Sequence, residues 1–328
     1  MTFTEPLKVG LVGTGYAASQ RAKALQDSPR SVLLAVSGNS PENLATFCQT
    51  YSVPAVNSWQ QLVNDSNLDL IVICTVNRDH GTIARAALEA LKHVVVEYPL
   101  SLNLREAAAL MSLAQKQNKL LHVEHIELLG GVHQAIRQYL PAIGKVFYAR
   151  YSTITPQRPA PRRWTYHQEL FGFPLTAAVS RIHRLTDLFG SVATVNCQAR
   201  FWDAPESGYY TSCLCAAQLG FTNGLIADVI YGKGENFWQG DRTFELHGDE
   251  GTLIFAGEKG TLVRGEEITP IEVVPRRGLF VQDTEMVLDY LWEGKPLYVS
   301  PSASYYALLV ADAARFAVTT GQTQVLDG

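Results

Sequence analysis

LKVGLVGTGYAA, residues 7–18, decides how this chain is read. The apolar run Leu7 to Val12 ends on glycine, as a buried parallel strand does, and helical spacing follows from Ala17 to Leu25. Gly13 permits a tight turn, Gly15 lets the backbone approach a ligand's phosphates, and Ala18 keeps helix and strand close. The start of such a helix offers free N–H groups to an anion. In this strand–turn–helix setting, Gly13-Thr14-Gly15-Tyr16-Ala17-Ala18 reads as the cradle of a dinucleotide pyrophosphate.

Outward from that turn, strand and helix signals alternate. A second strand runs from Val32 to Val36, helical spacing from Glu42 to Tyr51, a buried strand from Leu68 to Thr75, and a helix from Thr82 to Leu91. His93 to Val96 reads as strand, Leu104 to Asn118 as helix and Lys119 to Val123 as strand. Repeated units of this kind predict a doubly wound parallel sheet. After a helix from Val132 to Leu140, strands dominate: Val146–Thr153, Thr194–Phe201, Tyr210–Phe221, Gly224–Tyr231, Arg242–His247 and Thr252–Ala256. Asn223-Gly224 marks a hairpin between two of them. The fold class expected is α/β: a parallel-sheet domain over residues 1–124, then an α+β domain over 125–328. The second has a mostly antiparallel open sheet and a final helix from Ser304 to Val318.

An NAD site carries a carboxylate about 20 residues beyond the glycines, for the ribose 2′-hydroxyl. Here the second strand ends Ser37-Gly38-Asn39-Ser40, with none. Asn39 and Ser40 can hydrogen-bond a 2′-phosphate that an acid would repel, which favours NADP; the alternative is a polar loop capping the next helix.

Composition narrows the remaining classes. At 328 residues the chain is long enough for two domains, and 47 % apolar content excludes a disordered chain. A net charge of −4 without a basic run argues against binding nucleic acid or a membrane surface through bulk charge. Five cysteines with no C-x-x-C pair fit neither a disulfide framework nor a zinc knuckle, and suit a reducing cytosol. No metal site is expected. The Met1 end shows no apolar signal-peptide core and no window reaches a membrane span, so a soluble, cytoplasmic protein is expected.

From Trp59 to Pro99 the pattern becomes specific. Trp59, Leu62 and Asp65 lead to Leu68-Asp69, then Asn77, His80, Ala87-Leu88, Lys92-His93-Val94 and Glu97-Tyr98-Pro99. This resembles the glucose–fructose oxidoreductase and inositol dehydrogenase superfamily, and the likeness continues through Gly131 to Gly144. The resemblance implies a Rossmann domain followed by an open antiparallel sheet. It adds Thr75, Val76, Asn77, His80 and Glu97 to the cofactor set of Gly13, Gly15, Tyr16, Ala17, Ala18, Asn39 and Ser40.

The departures are as informative as the match. Sugar and polyol dehydrogenases of this group read E-K-P, and use that Lys with a downstream Asp and His to take a hydroxyl proton. Here the Lys position is Tyr98, and the Asp and His positions become Thr176 and Ser180. Without a base, alcohol oxidation loses its means of removing the proton. Basic and aromatic residues stand nearby instead. Arg181 and Arg184 are three apart on one helix face, and Arg158, Arg162 and Arg163 lie in a Pro-rich loop with Trp164 and Tyr166. Guanidinium forks bind carboxylates and stack on flat rings, which suits a large, conjugated, acidic substrate.

Glu97-Tyr98-Pro99-Leu100, residues 122–133, Arg150-Tyr151-Ser152-Thr153, residues 163–167 and Arg276-Arg277-Gly278-Leu279-Phe280 together resemble the biliverdin reductases of the cyanobacterial type. The resemblance implies reduction of biliverdin to bilirubin with NADPH, by hydride transfer to the central methine carbon. Arg181, Tyr98 and Glu97 are then the catalytic candidates: Arg181 as the cation that stabilises charge on the pyrrole nitrogens, Tyr98 as proton donor or ring contact, and Glu97 as an orienting group. Tyr98, His125, Arg163, Trp164, Arg181 and Arg184 are the substrate-binding candidates. His122 and His133 read as core or interface histidines, and Cys213 with Cys215 as core. A monomer or weak homodimer is expected. Two other readings stay open: an NADP-linked oxidoreductase of another carbonyl or conjugated substrate, and a non-catalytic NADP-binding sensor or scaffold.

Overall fold

The structure, a computed structural model, describes residues 5–326; the signal-peptide reading of the Met1 end falls partly on residues 1–4, which lie outside the described residues. The chain forms two units: Met1–Ile126 with Gly278–Tyr305, and Glu127–Arg277 with Tyr306–Gly328.

The first unit is built on strands β1 (Leu7–Val12), β2 (Ser31–Ser37), β3 (Leu70–Ile73), β4 (His93–Val96) and β5 (Leu121–Val123). They form one sheet, ordered β2-β1-β3-β4-β5, in which every pair is parallel. The order reverses between β1 and β3, and ligands of open parallel sheets bind beyond the strand ends at such a point. The connecting helices are α1 (Tyr16–Asp27), α2 (Pro41–Tyr51), α3 (Trp59–Val63), α4 (His80–Glu89) and α5 (Leu104–Lys116). Ala18, Ala22 and Leu25 of α1 lie on one helical face and pack into a core with Leu7, Leu11 and Leu33. Asn103 caps α5 by accepting hydrogen bonds from the Arg105 and Glu106 N–H groups.

The second unit carries short helices α6 (Gly131–Tyr139), α7 (Gln168–Phe171) and α8 (Pro174–Ala177), then α9 (Ser180–Phe189). Its strands are β6 (Val146–Pro156), β7 (Val192–Asp203), β8 (Tyr210–Phe221), β9 (Ile226–Gly234), β10 (Asp241–Gly248), β11 (Gly251–Ala256), β12 (Lys259–Arg264), β13 (Glu267–Ile271) and β14 (Gln324–Val325). The sheet order is β13-β12-β11-β10-β6-β9-β8-β7-β14, antiparallel throughout except for β6 beside β9. Gly224, at φ +90°, turns β8 into β9 where the Asn-Gly signal stood. Alternate residues of β8, among them Cys213, Cys215, Ala217 and Leu219, are buried. Helices α6, α8 and α9 pack against this sheet. The expected α/β architecture, parallel sheet then mostly antiparallel sheet, is therefore present.

Several elements went unread in the sequence, three of them consequential for the architecture. Strands β12 and β13 extend the sheet, and a helix α10 (Leu279–Glu293) precedes α11 (Pro301–Thr320). The expected division at residue 124 differs from the observed one chiefly in residues 278–305, which belong with the first unit. The reason is burial: Val287, Leu288 and Leu291 of α10 join the same core as Leu7 and Leu25.

Candidate active site

In the first unit the glycine turn has the form expected of it. Gly13 sits at φ +120°, and a Cβ there would lie 2.2 Å from the Cys74 carbonyl oxygen, so only glycine fits. Gly15 is the N-cap of α1, no side chain caps that helix, and its first turn carries no acid. Space is open beside Gly15, where an added Cβ would meet nothing within 4 Å, and Tyr16 is 75 % exposed. Ala18 is fully buried against the sheet. A helix N-terminus with unmet N–H groups next to open space fits a pyrophosphate.

At the end of β2, Ser40 Oγ accepts from the Asn43 N–H at 3.3 Å and so caps α2. The capping role weighed as the alternative is therefore real, and it leaves the Ser40 hydroxyl hydrogen able to donate. Asn39 beside it is exposed. Beyond β3, the chain at Thr75, just before Val76 and Asn77, meets the side chain of His80. Its buried ring faces the Thr75 carbonyl oxygen at 3.2 Å and the Pro99 carbonyl oxygen at 2.8 Å. His80 thus ties two loops together and presents no ring nitrogen outward.

Glu97 and Tyr98 follow β4 and diverge. The Glu97 carboxylate accepts from Arg21 Nε at 3.1 Å and pairs with Arg21 Nη2, also at 3.1 Å. Arg21, 1 % exposed, also pairs with Asp283 of α10, which in turn accepts from His122 Nε2 at 2.8 Å and the Tyr298 hydroxyl at 2.6 Å. Burial pushes the Glu97 carboxyl up and the nearby Glu124 further up, while Arg21 and His122 hold Asp283 far below the usual carboxylate range. Glu97 therefore acts as an internal brace. Tyr98 stacks on His125, rings 5.6 Å apart and nearly parallel. His125 is buried, with Nε2 2.8 Å from Ser304 Oγ. Its ring lies under Tyr98 and supports it.

In the second unit, Arg181 lies in the first turn of α9, half-buried. Its guanidinium donates to Ser180 Oγ at 3.0 Å and sits over the Tyr231 ring at 5.5 Å. Arg184 is 4 % exposed: it donates to the Tyr151 hydroxyl at 3.0 Å and lies over the Tyr151 and Phe244 rings. Beside it, buried His133 meets Asp187 at 2.7 Å, and Arg137 clasps the same carboxylate at 2.6 Å. The shared helix face expected of Arg181 and Arg184 thus splits by depth, and Arg184 is a core residue bordering a cavity of about 30 Å³.

In the Pro-rich loop, Arg158 stacks on Trp238 at 3.4 Å and Arg162 pairs with Glu206. Arg163 is exposed, and Trp164 leans on Phe171 at 5.9 Å. All three loop arginines are exposed.

Sequence reasoning missed Lys233. It is 7 % exposed on β9, its ammonium 3.7 Å from the Phe171 ring centre and 4.7 Å from that of Tyr166, and it donates to the Thr165 carbonyl. The signal was present: Ala227, Val229, Tyr231 and Lys233 fall on one alternation phase of β9, the inward one. Among the described residues no group of three or more His, Cys, Asp or Glu is placed to hold a metal ion, and no helix is long and apolar enough to cross a membrane.

Comparison with known proteins follows from this geometry. Residues 7–125 match an oxidoreductase family with an NAD-binding Rossmann fold, and residues 141–325 match that family's C-terminal alpha/beta domain. The chain belongs to this oxidoreductase family. Within the family, it is 59 % identical to a crystal structure of biliverdin reductase in complex with biliverdin and NADP+ from Synechocystis sp. PCC 6803. That likeness covers 96 % of this chain and 99 % of the other, with a TM-score of 0.95. Biliverdin reductase A from Homo sapiens is 30 % identical over 213 residues, and that from Mus musculus 30 % identical over 197. These matches cover 63 % and 59 % of this chain, and 66 % and 62 % of those proteins' own length. The resemblance to cyanobacterial-type biliverdin reductases read in the sequence is borne out.

Proposed function

We propose that the chain reduces biliverdin to bilirubin with NADPH. The observation that carries this reading is the 59 % identity, over nearly the full length of both chains, to a biliverdin reductase whose crystal contains biliverdin and NADP+. The residues support it independently. The family's lysine position holds Tyr98, braced by His125, which removes the base needed for sugar oxidation.

The nicotinamide cofactor, when bound, supplies the hydride that reduces the central methine carbon. Gly13 and Gly15 bring the backbone against its pyrophosphate, and the uncapped start of α1 donates to that anion. Asn39 and Ser40 hold the ribose 2′-phosphate, in a loop that lacks the repelling carboxylate. Thr75, which meets His80, completes the cofactor wall with Val76 and Asn77.

Reduction of the methine leaves electron density on the flanking pyrrole nitrogens, one of which takes a proton from solvent water. Arg181 stabilises that charge: its guanidinium stays protonated at any working pH, which makes it a poor stoichiometric acid and a good electrostatic group. Tyr98 contacts the tetrapyrrole with its ring. Exposed Arg163 and half-buried Trp164 suit a propionate and a flat chromophore respectively. Glu97 works indirectly, as the brace on Arg21.

The test is to mix the purified protein with NADPH and biliverdin. Green turning to yellow with matching loss of NADPH supports the reading. NADPH that binds and is never oxidised by any tetrapyrrole leaves a non-catalytic binder.

A further inference from the structure

Lys233 is a permanent-looking charge in an unusual place. Its side chain leaves β9 on the inward phase and ends among aromatic rings from three other elements: Tyr166 of the 164–166 turn, Phe171 of α7 and Tyr210 of β8. One N–H is taken by the Thr165 carbonyl, which also accepts from the Tyr210 hydroxyl at 2.9 Å. Tyr231, two residues back on the same strand face, has Lys233 Nζ 5.9 Å from its ring centre and the Arg181 guanidinium 5.5 Å from it. Two cations therefore share one ring.

We propose that Lys233 is a positioning residue for Arg181: its ammonium repels the neighbouring guanidinium from the Tyr231 ring that the two cations share, and so keeps Arg181 presented to substrate. The inference rests on the reading that Arg181 serves the substrate. Its physical basis is that aromatic faces attract a desolvated guanidinium at least as well as an ammonium, while like charges repel at short range. With Lys233 neutral, the repulsion ends and the shared Tyr231 face draws Arg181 closer. The Thr165 carbonyl also belongs to the Arg163-Trp164 turn, so the same ammonium fixes that turn from within.

The charged state of Lys233 is itself conditional. Burial, reinforced by the Arg181 charge and opposed by Cys213, brings its pKa down to about 8. The titratable and charged groups facing it are Arg181 of α9, Tyr166 of the turn, Tyr210 and Cys213 of β8, and Tyr231 beside it on β9. Burial pushes Tyr166, Tyr210 and Cys213 upward, so those three do not lose protons as Lys233 does. Raising the pH through about 8 then mimics removal of the lysine charge.

The experiment compares wild type, Lys233→Met and Arg181→Ala in biliverdin turnover from neutral to alkaline pH, with NADPH dissociation constants measured alongside. Lys233→Met keeps the side chain's length and apolar stem. At neutral pH its kcat should fall by about 10- to 100-fold, the scale of a misplaced catalytic group. NADPH affinity should be unchanged, and the loss of rate that wild type shows through about pH 8 should vanish. A folded Lys233→Met with wild-type kcat overturns the proposal. Should that variant not fold, Lys233→Gln takes its place: wild-type kcat with an unaltered pH profile overturns the proposal, and a lowered kcat with the alkaline fall removed supports it. Arg181→Ala separates the two readings. Undiminished turnover there removes the role assigned to Arg181, whereas a defect there with an active Lys233→Met removes only the role of Lys233.

Discussion

Replacing Ser40 with Asp tests the cofactor loop with little disturbance to the fold. Ser40 caps α2 through its oxygen, 3.3 Å from the Asn43 nitrogen, ahead of Pro41 in the first turn. Asp caps as well as Ser, and its charge suits a helix N-terminus, so thermal stability should hold. The effect then falls on the cofactor. Two unit charges about 5 Å apart interact by about 1 to 3 kcal/mol for an effective dielectric between that of a protein surface and water. A 2′-phosphate carries at least one such charge, so NADPH affinity should drop by about 5- to 150-fold. NADH has only a 2′-hydroxyl, which an Asp can accept from, and should bind as well or better. Fluorescence titration with both cofactors at low and high salt reads the ratio, and salt should shrink the NADPH penalty. An unchanged NADPH-to-NADH ratio in a variant that melts like wild type would refute the reasoning.

Other expectations follow from single contacts. Arg181→Ala should lower biliverdin turnover by about 100-fold or more while leaving the NADPH dissociation constant within about twofold, since that guanidinium contacts Ser180 and Tyr231 within the second unit; equal losses of both would contradict its role. Buried His183 and His93 are held down at about 4, so the folded state resists protons that the unfolded chain takes up below about pH 6.5. Stability should therefore be level above that pH and fall on acidification towards 4, by about 1.4 kcal/mol per pH unit for each such histidine. Urea midpoints between pH 7 and 4.5 check this, and His183→Gln should flatten the slope. Leu288→Ala, in the α10 face buried in the first unit's core, should cost about 2 to 5 kcal/mol in urea unfolding; a near-neutral effect would detach α10 from that core.

The parallel sheet was legible because each of its strands is a short apolar run followed by turn chemistry and helical spacing, and His93 to Val96 was read to the residue. β12 and β13 escaped because Lys259–Arg264 is short, with Leu262 and Val263 as its only large apolar residues, and Glu267–Ile271 is exposed up to its last residue. Helix α10 escaped for a different reason: its membership in the first unit depends on Leu288 and Asp283 meeting Leu7 and Arg21 across more than 260 residues, and no local pattern encodes such a contact. The site divides in the same way. The glycine turn could be read because backbone geometry demands glycine at Gly13. Depth could not be read: Arg181 and Arg184 look alike at spacing three, yet one is half-buried and the other is buried against the stacked Tyr151 and Phe244 rings. Glu97 likewise gives no local sign of Arg21, 76 residues away, which pairs with its carboxylate.

The most direct measurement follows the hydride itself. The protein is given biliverdin and NADPH deuterated on one face of the nicotinamide, and the yellow product is examined by NMR and mass spectrometry. One deuterium in the central methylene bridge, transferred from one face only, is the predicted result. A product without deuterium, or a chromophore that stays green while NADPH persists, would contradict the account.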